Sequence, residues 1–190
     1  MTKSALGEKL LLNLPDPLPP GDPALSSVLA ILGWNSQTSR EEILLTKRTE
    51  DVETHKGQIS FPGGYWETHD SDLLATALRE SEEEIGLKPA EVQILCNLEP
   101  VRTRGDVLVY PWVGRLEYPY PFHLNPREVA SLLFLPVDDL LEKGLAEVKV
   151  SLSEGFTVES KGIWVDGHLV WGATARMLEQ LREKLLGLYR

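Results

Sequence analysis

A clear helical signal is carried by Leu73, Leu74, Ala77, Leu78 and Ile85, which recur at helical spacing. That spacing predicts a helix over 72–85, with Asp70 or Ser71 as N-cap and Gly86 as the residue just past its end. Upstream, "ALSSVLAILGW" and "EEILLTKR" are β-compatible apolar runs separated by the polar turn "NSQTS", and read as a hairpin or as neighbouring strands. A third short strand, "QISF", runs into Pro62-Gly63-Gly64, where the double glycine is expected to stop it. Downstream, "VQILCNLE" and "VLVYPWVGRL" read as strands around the loop "PVRTRGD", with Pro111 demanding a bulge or an edge position. "NPREVASLLFL" and "VDDLLEKG" carry short helical patterns. "GIWVDGHLVWG" is a hairpin signal, since Asp166-Gly167 separates two alternating runs. The closing "ATARMLEQLREKLLGL" places Met177, Leu178, Leu181 and Leu185 on one helical face.

Helices interspersed with short hairpin-joined strands predict an α/β (α+β) fold, a mixed β-sheet sandwiched between α-helices. At the N-terminus "SALGEKLLLNL" suits a short helix, while the prolines of "PDPLPPGDP" forbid one. Residues 1–23 are therefore expected to be an N-terminal segment and Pro-rich tether, and 24–190 a single domain; a second domain would be cramped in 190 residues.

Composition narrows the partners. Lys and Arg number 19 against 29 Asp and Glu, a formal charge of −10 that repels a nucleic-acid backbone, so nucleic acid is not an expected partner. Apolar runs such as "LLFLP" and "VLAILGW" fall well short of the roughly 18 to 20 residues that a membrane helix needs. The N-terminus shows no signal-peptide pattern, and "GLYR" is no recognised address. The lone Cys96 cannot pair within the chain and reads as buried filler in a strand. Together these features lead us to expect a cytoplasmic protein; oligomeric state stays open.

Glu80, Glu82, Glu83 and Glu84 crowd into the end of the predicted helix. Glu80, Glu83 and Glu84 share one side and the apolar residues the other, with Glu82 pointing elsewhere. Like charges at this spacing cost about 0.2 to 0.5 kcal/mol per pair, and acids in a last turn oppose the macrodipole. A solvated acidic face is the ordinary reading of a Glu-rich helix. The alternative is that a hard divalent ion reverses the sign of the repulsion by taking the carboxylate oxygens. The order strand, double glycine, loop, helix, acids favours the ion.

With those residues in view, the chain resembles the Nudix hydrolase family. Gly64 followed by Arg79-Glu80-Ser81-Glu82-Glu83-Glu84-Ile85-Gly86-Leu87 is similar to the family's box, with one extra residue before Arg79 and with Ser81 where a small apolar residue is usual. Asp70 or Asp72 lies near the place of the box's first Glu. Residues 44–64, with Leu44-Leu45-Thr46, Arg48 and Phe61-Pro62-Gly63-Gly64, resemble the coenzyme A pyrophosphatase branch, although Glu53 or a neighbour stands where that branch usually has a second Arg. Trp171-Gly172-Ala173-Thr174-Ala175 is similar to the stretch preceding that branch's last helix.

The resemblance implies a Mg²⁺- or Mn²⁺-dependent hydrolase acting on a small-molecule, nucleoside diphosphate-linked substrate. Coenzyme A or acyl-CoA, split to 3′,5′-ADP and 4′-phosphopantetheine, is the expected one; ADP-ribose, dinucleotides or nucleoside triphosphates are the alternative, and a non-catalytic Nudix-fold module a third. By the same analogy Glu80, Glu83 and Glu84, with the Gly63 carbonyl, are expected metal ligands, Glu80 and Glu83 also serving the base system while Arg79 orients carboxylates. Glu128 is the leading later acid, with Glu99, Asp106 and Glu117 as others. Arg48, Lys56, His55 and Gly64 are expected at the substrate, and Arg102 and Arg104 are further phosphate-binding candidates. Tyr65, Trp66 and Trp112 offer rings for adenine, with core packing the plainer role.

Overall fold

A computed structural model describes residues 25–50, 57–152 and 155–188. Its large sheet has the order β3-β2-β1-β7-β5, formed by β1 (Leu25–Asn35), β2 (Arg40–Arg48), β3 (Ile59–Ser60), β5 (Gln93–Asn97) and β7 (Leu108–Tyr118). Three further strands join it: β4 (Gly63–Tyr65) on β1, β6 (Val101–Arg102) on β7, and β8 (Val129–Pro136) on β2. β1 and β7 run parallel while the other pairs are antiparallel, so the sheet is mixed, as expected. A separate sheet, β11-β10-β9, comprises β9 (Ala146–Ser151), β10 (Thr157–Val165) and β11 (His168–Trp171).

Burial on both faces explains why β1 reads as a continuous apolar run rather than an alternating one. Leu29 and Ile31 pack with Ala77 and Ile85 of helix α1 (Leu73–Ile85). Ala30 and Leu32 belong to the opposite core, with Leu140 of α2 (Val137–Lys143) and with Met177, Leu178, Leu181 and Leu185 of α3 (Gly172–Leu188). Helices thus cover both faces, and the four residues predicted to share one face of α3 all reach the core. Among the described residues no helix is long and apolar enough to cross a membrane.

The strand order creates the site. β1 pairs with β2 from Ile31 to Asn35, but its earlier residues Ser26 to Val28 pair with β4 instead. β3, Pro62 and β4 fill the gap where β1 and β2 part, and the Leu29 N–H donates to the Pro62 carbonyl at 2.9 Å. The third strand does end before the double glycine, at Ser60, and the two glycines then open a separate strand, β4. At Gly63, with φ 151°, an added Cβ would lie 2.3 Å from the Ser27 carbonyl oxygen, so only glycine fits this close approach.

Helix α1 is bounded by side-chain chemistry. The N-cap is Asp72, rather than Asp70 or Ser71, and its carboxylate accepts the Ala75 N–H at 2.8 Å. Gly86 ends the helix in the left-handed region at φ 69°, its N–H donating to the Glu82 carbonyl. Ser81 sits on the buried face because its hydroxyl is satisfied within the helix, donating to the Ala77 carbonyl at 2.7 Å.

Other expectations give way to tertiary structure. "NPREVASLLFL" is not helical beyond one turn at its start; from Val129 it forms β8, with Val129, Leu133 and Leu135 buried against β2. A short apolar run suits either period, and antiparallel pairing with β2 decides it. Pro111 lies neither at a bulge nor at an edge but inside central β7, opposite the junction where β5 gives way to β6; its carbonyl accepts the Leu98 N–H. The β5 irregularity falls at Ile94/Cys96, and Cys96 is buried. β9 is a strand with no counterpart among the expected elements, whereas Asp166 and Gly167 form the predicted turn, both at positive φ. The N-terminal segment and tether, residues 1–23, lie outside the described residues.

Replacing Asp72 with alanine removes the cap that starts α1. Stability should fall by about 1 kcal/mol, read as a lower urea midpoint at unchanged slope.

Candidate active site

Arg79 is the hub of the acidic end of α1. Its Nε donates to Asp70 Oδ1 at 2.8 Å and its Nη2 to Asp70 Oδ2 at 3.0 Å, a bidentate grip. Nη1 reaches Glu80 at 2.9 Å and Glu83 at 3.3 Å, and Nη2 also donates to the Tyr65 carbonyl. Asp70 is buried and takes further hydrogen bonds from the Thr76 hydroxyl and the Glu67 N–H. Burial alone would raise its pKa, but the Arg79, Glu67 and Thr76 donors outweigh this and lower it to about 2. Of the two aspartates left open by the sequence, Asp70 anchors the arginine and Asp72 caps the helix.

The three expected ligand glutamates divide. Glu84 is 3% exposed; its Oε2 accepts the Gly63 N–H at 3.2 Å and its Oε1 lies 3.6 Å from Arg48 Nη1. Glu80 presses on Gly64, where an added Cβ would meet its carboxyl carbon at 2.3 Å. Glu83 has a side chain 55% exposed and is held from the outer side by Arg79. Burial pushes the Glu84 carboxyl up to about 8; the Gly63 N–H and Arg48 pull it down, and Glu80 and Glu128 push it further up. Burial likewise raises Glu80, with Arg79 opposing and the charges of Glu83 and Glu128 adding to the rise. Glu80, Glu84 and Glu128 thus repel one another in a partly dry setting, with Gly63 and Gly64 beneath the first two.

Glu128 owes its place to the turn before β8. Asn125 Nδ2 donates to its Oε1 at 2.8 Å, and its own carbonyl accepts the Thr49 N–H at 2.9 Å. Arg48 pairs with Val129 across a register shift at Lys47/Arg48, which sets it beside this turn; its Nε is buried without a hydrogen-bond partner among the described residues.

The other later acids stand elsewhere. The Glu99 backbone is bonded to Gln180 of α3, Asp106 pairs with Arg102, and Glu117 lies near Arg115. Arg104 lies over the Trp171 ring and the Arg102 carbonyl accepts from Arg176, so both are tied to the region around β11 and α3. Trp112 is buried with its Nε1 donating to Ser27 Oγ, and the Trp66 Nε1 donates to the Asp70 carbonyl, whereas Tyr65 is exposed. His55 and Lys56 lie outside the described residues. Asn125, Thr49 and Thr76 were missed from sequence. Asn-Pro-Arg-Glu looked like the opening of a helix, and the same four residues close one turn around the Glu128 carboxylate.

Among the described residues no three His, Cys, Asp or Glu side chains are already gathered as a metal's ligands would be. The buried Glu84 and half-buried Glu80 carboxylates, each raised by burial and by like charge, still fit a hard divalent ion, which would replace that repulsion with attraction.

This combination of mixed sheet, glycine pair and acidic helix defines a class. The family model described as the NUDIX domain matches residues 26–156. An uncharacterized Nudix hydrolase, NudL, of Photorhabdus laumondii is 36% identical over 143 residues, 75% of this chain and 76% of that one. A NudL of Yersinia pestis is 32% identical over 75% of this chain and 72% of its own. The chain belongs to the Nudix hydrolase family, and is a Nudix pyrophosphatase. Among solved structures, a MutT/nudix family protein from Enterococcus faecalis matches with TM-score 0.54 and 15% identity, over 93% of this chain and 70% of that one. An Ap4A hydrolase of C. elegans matches with TM-score 0.51 and 19% identity, over 63% and 85%. Both share the fold.

Because the Asp70 pKa is depressed in the folded protein, its contribution to stability is complete above about pH 4 and lost as pH falls through about 2. Wild type should exceed Asp70→Asn by on the order of 2 kcal/mol at neutral pH, and the gap should close by about pH 2 in chemical-denaturation curves.

Proposed function

We propose that this chain hydrolyses the diphosphate bond of coenzyme A or acyl-CoA, releasing 3′,5′-ADP and 4′-phosphopantetheine or its acyl derivative, in the cytoplasm and with Mg²⁺ or Mn²⁺. The observation that carries this reading is Arg48. It belongs to the stretch 44–64 that resembles the coenzyme A pyrophosphatase branch, and it stands 3.6 Å from Glu84 at the edge of the acidic site. Its guanidinium has donor capacity to spare, and coenzyme A brings a 3′-phosphate in addition to the diphosphate.

When bound, the divalent ion supplies a more acidic water and neutralises diphosphate oxygens. Glu80, Glu83 and Glu84 are the residues that would hold it, with the Gly63 carbonyl beside them. Glu128 or Glu80 accepts a proton from the attacking water as its oxygen bonds to phosphorus; the bridging P–O bond breaks and its electrons leave with the departing phosphate. Arg79 keeps Glu80 and Glu83 in place while Asp70 holds Arg79. Gly64 leaves the space that the Glu80 carboxylate occupies.

Three measurements check this. A panel of coenzyme A, acetyl-CoA, ADP-ribose, diadenosine polyphosphates and nucleoside triphosphates, with products weighed by mass spectrometry, should give fastest turnover on a coenzyme A species; turnover of ADP-ribose with none of coenzyme A defeats the assignment. Glu83→Gln should lower kcat by more than the roughly 100-fold lost with outer partners of a metal site, at unchanged Tm. Chelation should abolish turnover of the wild type and added Mg²⁺ or Mn²⁺ restore it.

A further inference from the structure

Asn125 spends every polar group it has on one small region. Its N–H donates to the Glu84 carbonyl at 2.9 Å, fixing the turn to the end of α1. Its carbonyl accepts the N–H groups of Glu128 and Val129 at 3.0 and 2.9 Å, and its Oδ1 accepts the Arg127 N–H at 3.1 Å, which closes the turn. What remains is Nδ2, and it donates to Glu128 Oε1 at 2.8 Å. Closing the turn does not require that last bond. Thr49 braces the same turn from β2, its N–H and hydroxyl donating to the carbonyls of Glu128 and Arg127, and neither bond touches the Glu128 carboxylate.

The carboxylate so held is the one whose charge bears on both Glu80 and Glu84. Left to itself an acid facing two others turns away, since rotation about its side-chain bonds costs little and relieves the repulsion. A donated hydrogen bond to a charged acceptor opposes that rotation. We propose that Asn125 is a positioning residue for the reaction: its side-chain amide holds Glu128 toward Glu80 and Glu84, and its main chain fixes that geometry to α1. The inference rests on the reading of this site as the place of diphosphate hydrolysis, but not on which diphosphate is taken.

Asn125→Asp separates the two tasks of the side chain. Aspartate keeps the oxygen that accepts the Arg127 N–H and loses the donor to Glu128. Assays use whichever diphosphate the panel shows to be turned over fastest, so failure of the coenzyme A assignment appears in the panel and leaves this test intact. Asn125→Asp and Asn125→Ala should each lower kcat by about 10- to 100-fold with KM changed less than about twofold. Adding either to Glu128→Gln should lower kcat by no more than about a further twofold, because each acts through a group already disabled. A crystal structure of Asn125→Asp should show the Glu128 carboxylate displaced and the backbone of 125–129 in place. Full activity in Asn125→Asp, multiplicative losses in the double variants, an unmoved Glu128 carboxylate, loss of the fold in both single variants, or undiminished activity in Glu128→Gln would each overturn the proposal.

Discussion

Everything at this site follows from placing two carboxylates, Glu80 and Glu84, against a strand that has no side chains there. They lie one helical turn apart on α1, and β4 offers them Gly63 and Gly64. The contact removes water from both acids, which raises their pKa values and magnifies their mutual repulsion. A protein selected only for stability has no use for this arrangement, since well-packed apolar residues in such positions are as good or better. The cost becomes intelligible once a divalent ion and an anionic substrate complete the charge balance.

The surrounding fold holds that contact in shape. β1 changes partners along its length, pairing first with β4 and then with β2, and the gap where β1 and β2 part admits the glycine strand. Leu29 and Ile31 on β1 pack against Ala77 and Ile85 of α1, so the core fixes the height of the helix above the glycines. Asp72 and Gly86 set where the helix starts and stops. Asp70 holds Arg79, which in turn holds Glu80 and Glu83. The links from Asp70 through Arg79 to Glu80 are short and involve buried or half-buried groups, where electrostatic positioning is strongest.

Helix α1, its Gly86 terminus, the Asp166-Gly167 hairpin and the apolar face of α3 were legible because local chemistry and tertiary burial agree there. The turn at Asn125 was not. Its residues satisfy a helix-start pattern, and a single turn does form, but Val129, Leu133 and Leu135 gain more by pairing with β2 than by continuing the helix. The role of Asp70 was hidden for a different reason. Its partners Arg79 and Thr76 lie nine and six positions away, and only the path of the loop from β4 into α1 decides which of two neighbouring aspartates points inward. Sequence spacing located the acids; the division between buried Glu84, half-buried Glu80 and exposed Glu83 needed the glycine strand in three dimensions.

That division carries a chemical meaning. Glu83 is exposed and gripped by Arg79, whereas Glu84 is nearly dry and its carboxyl is raised to about 8 by burial. Identical side chains on one helix therefore begin with different exposure to water. A dry carboxyl with a high pKa gains most from an incoming cation, because ionisation and coordination occur together and the ion supplies what water no longer does. Arg48 stands 3.6 Å from Glu84, close enough to ease its ionisation. The site thus pairs an acidic floor, where like charges repel one another, with the guanidinium of Arg48 at its edge.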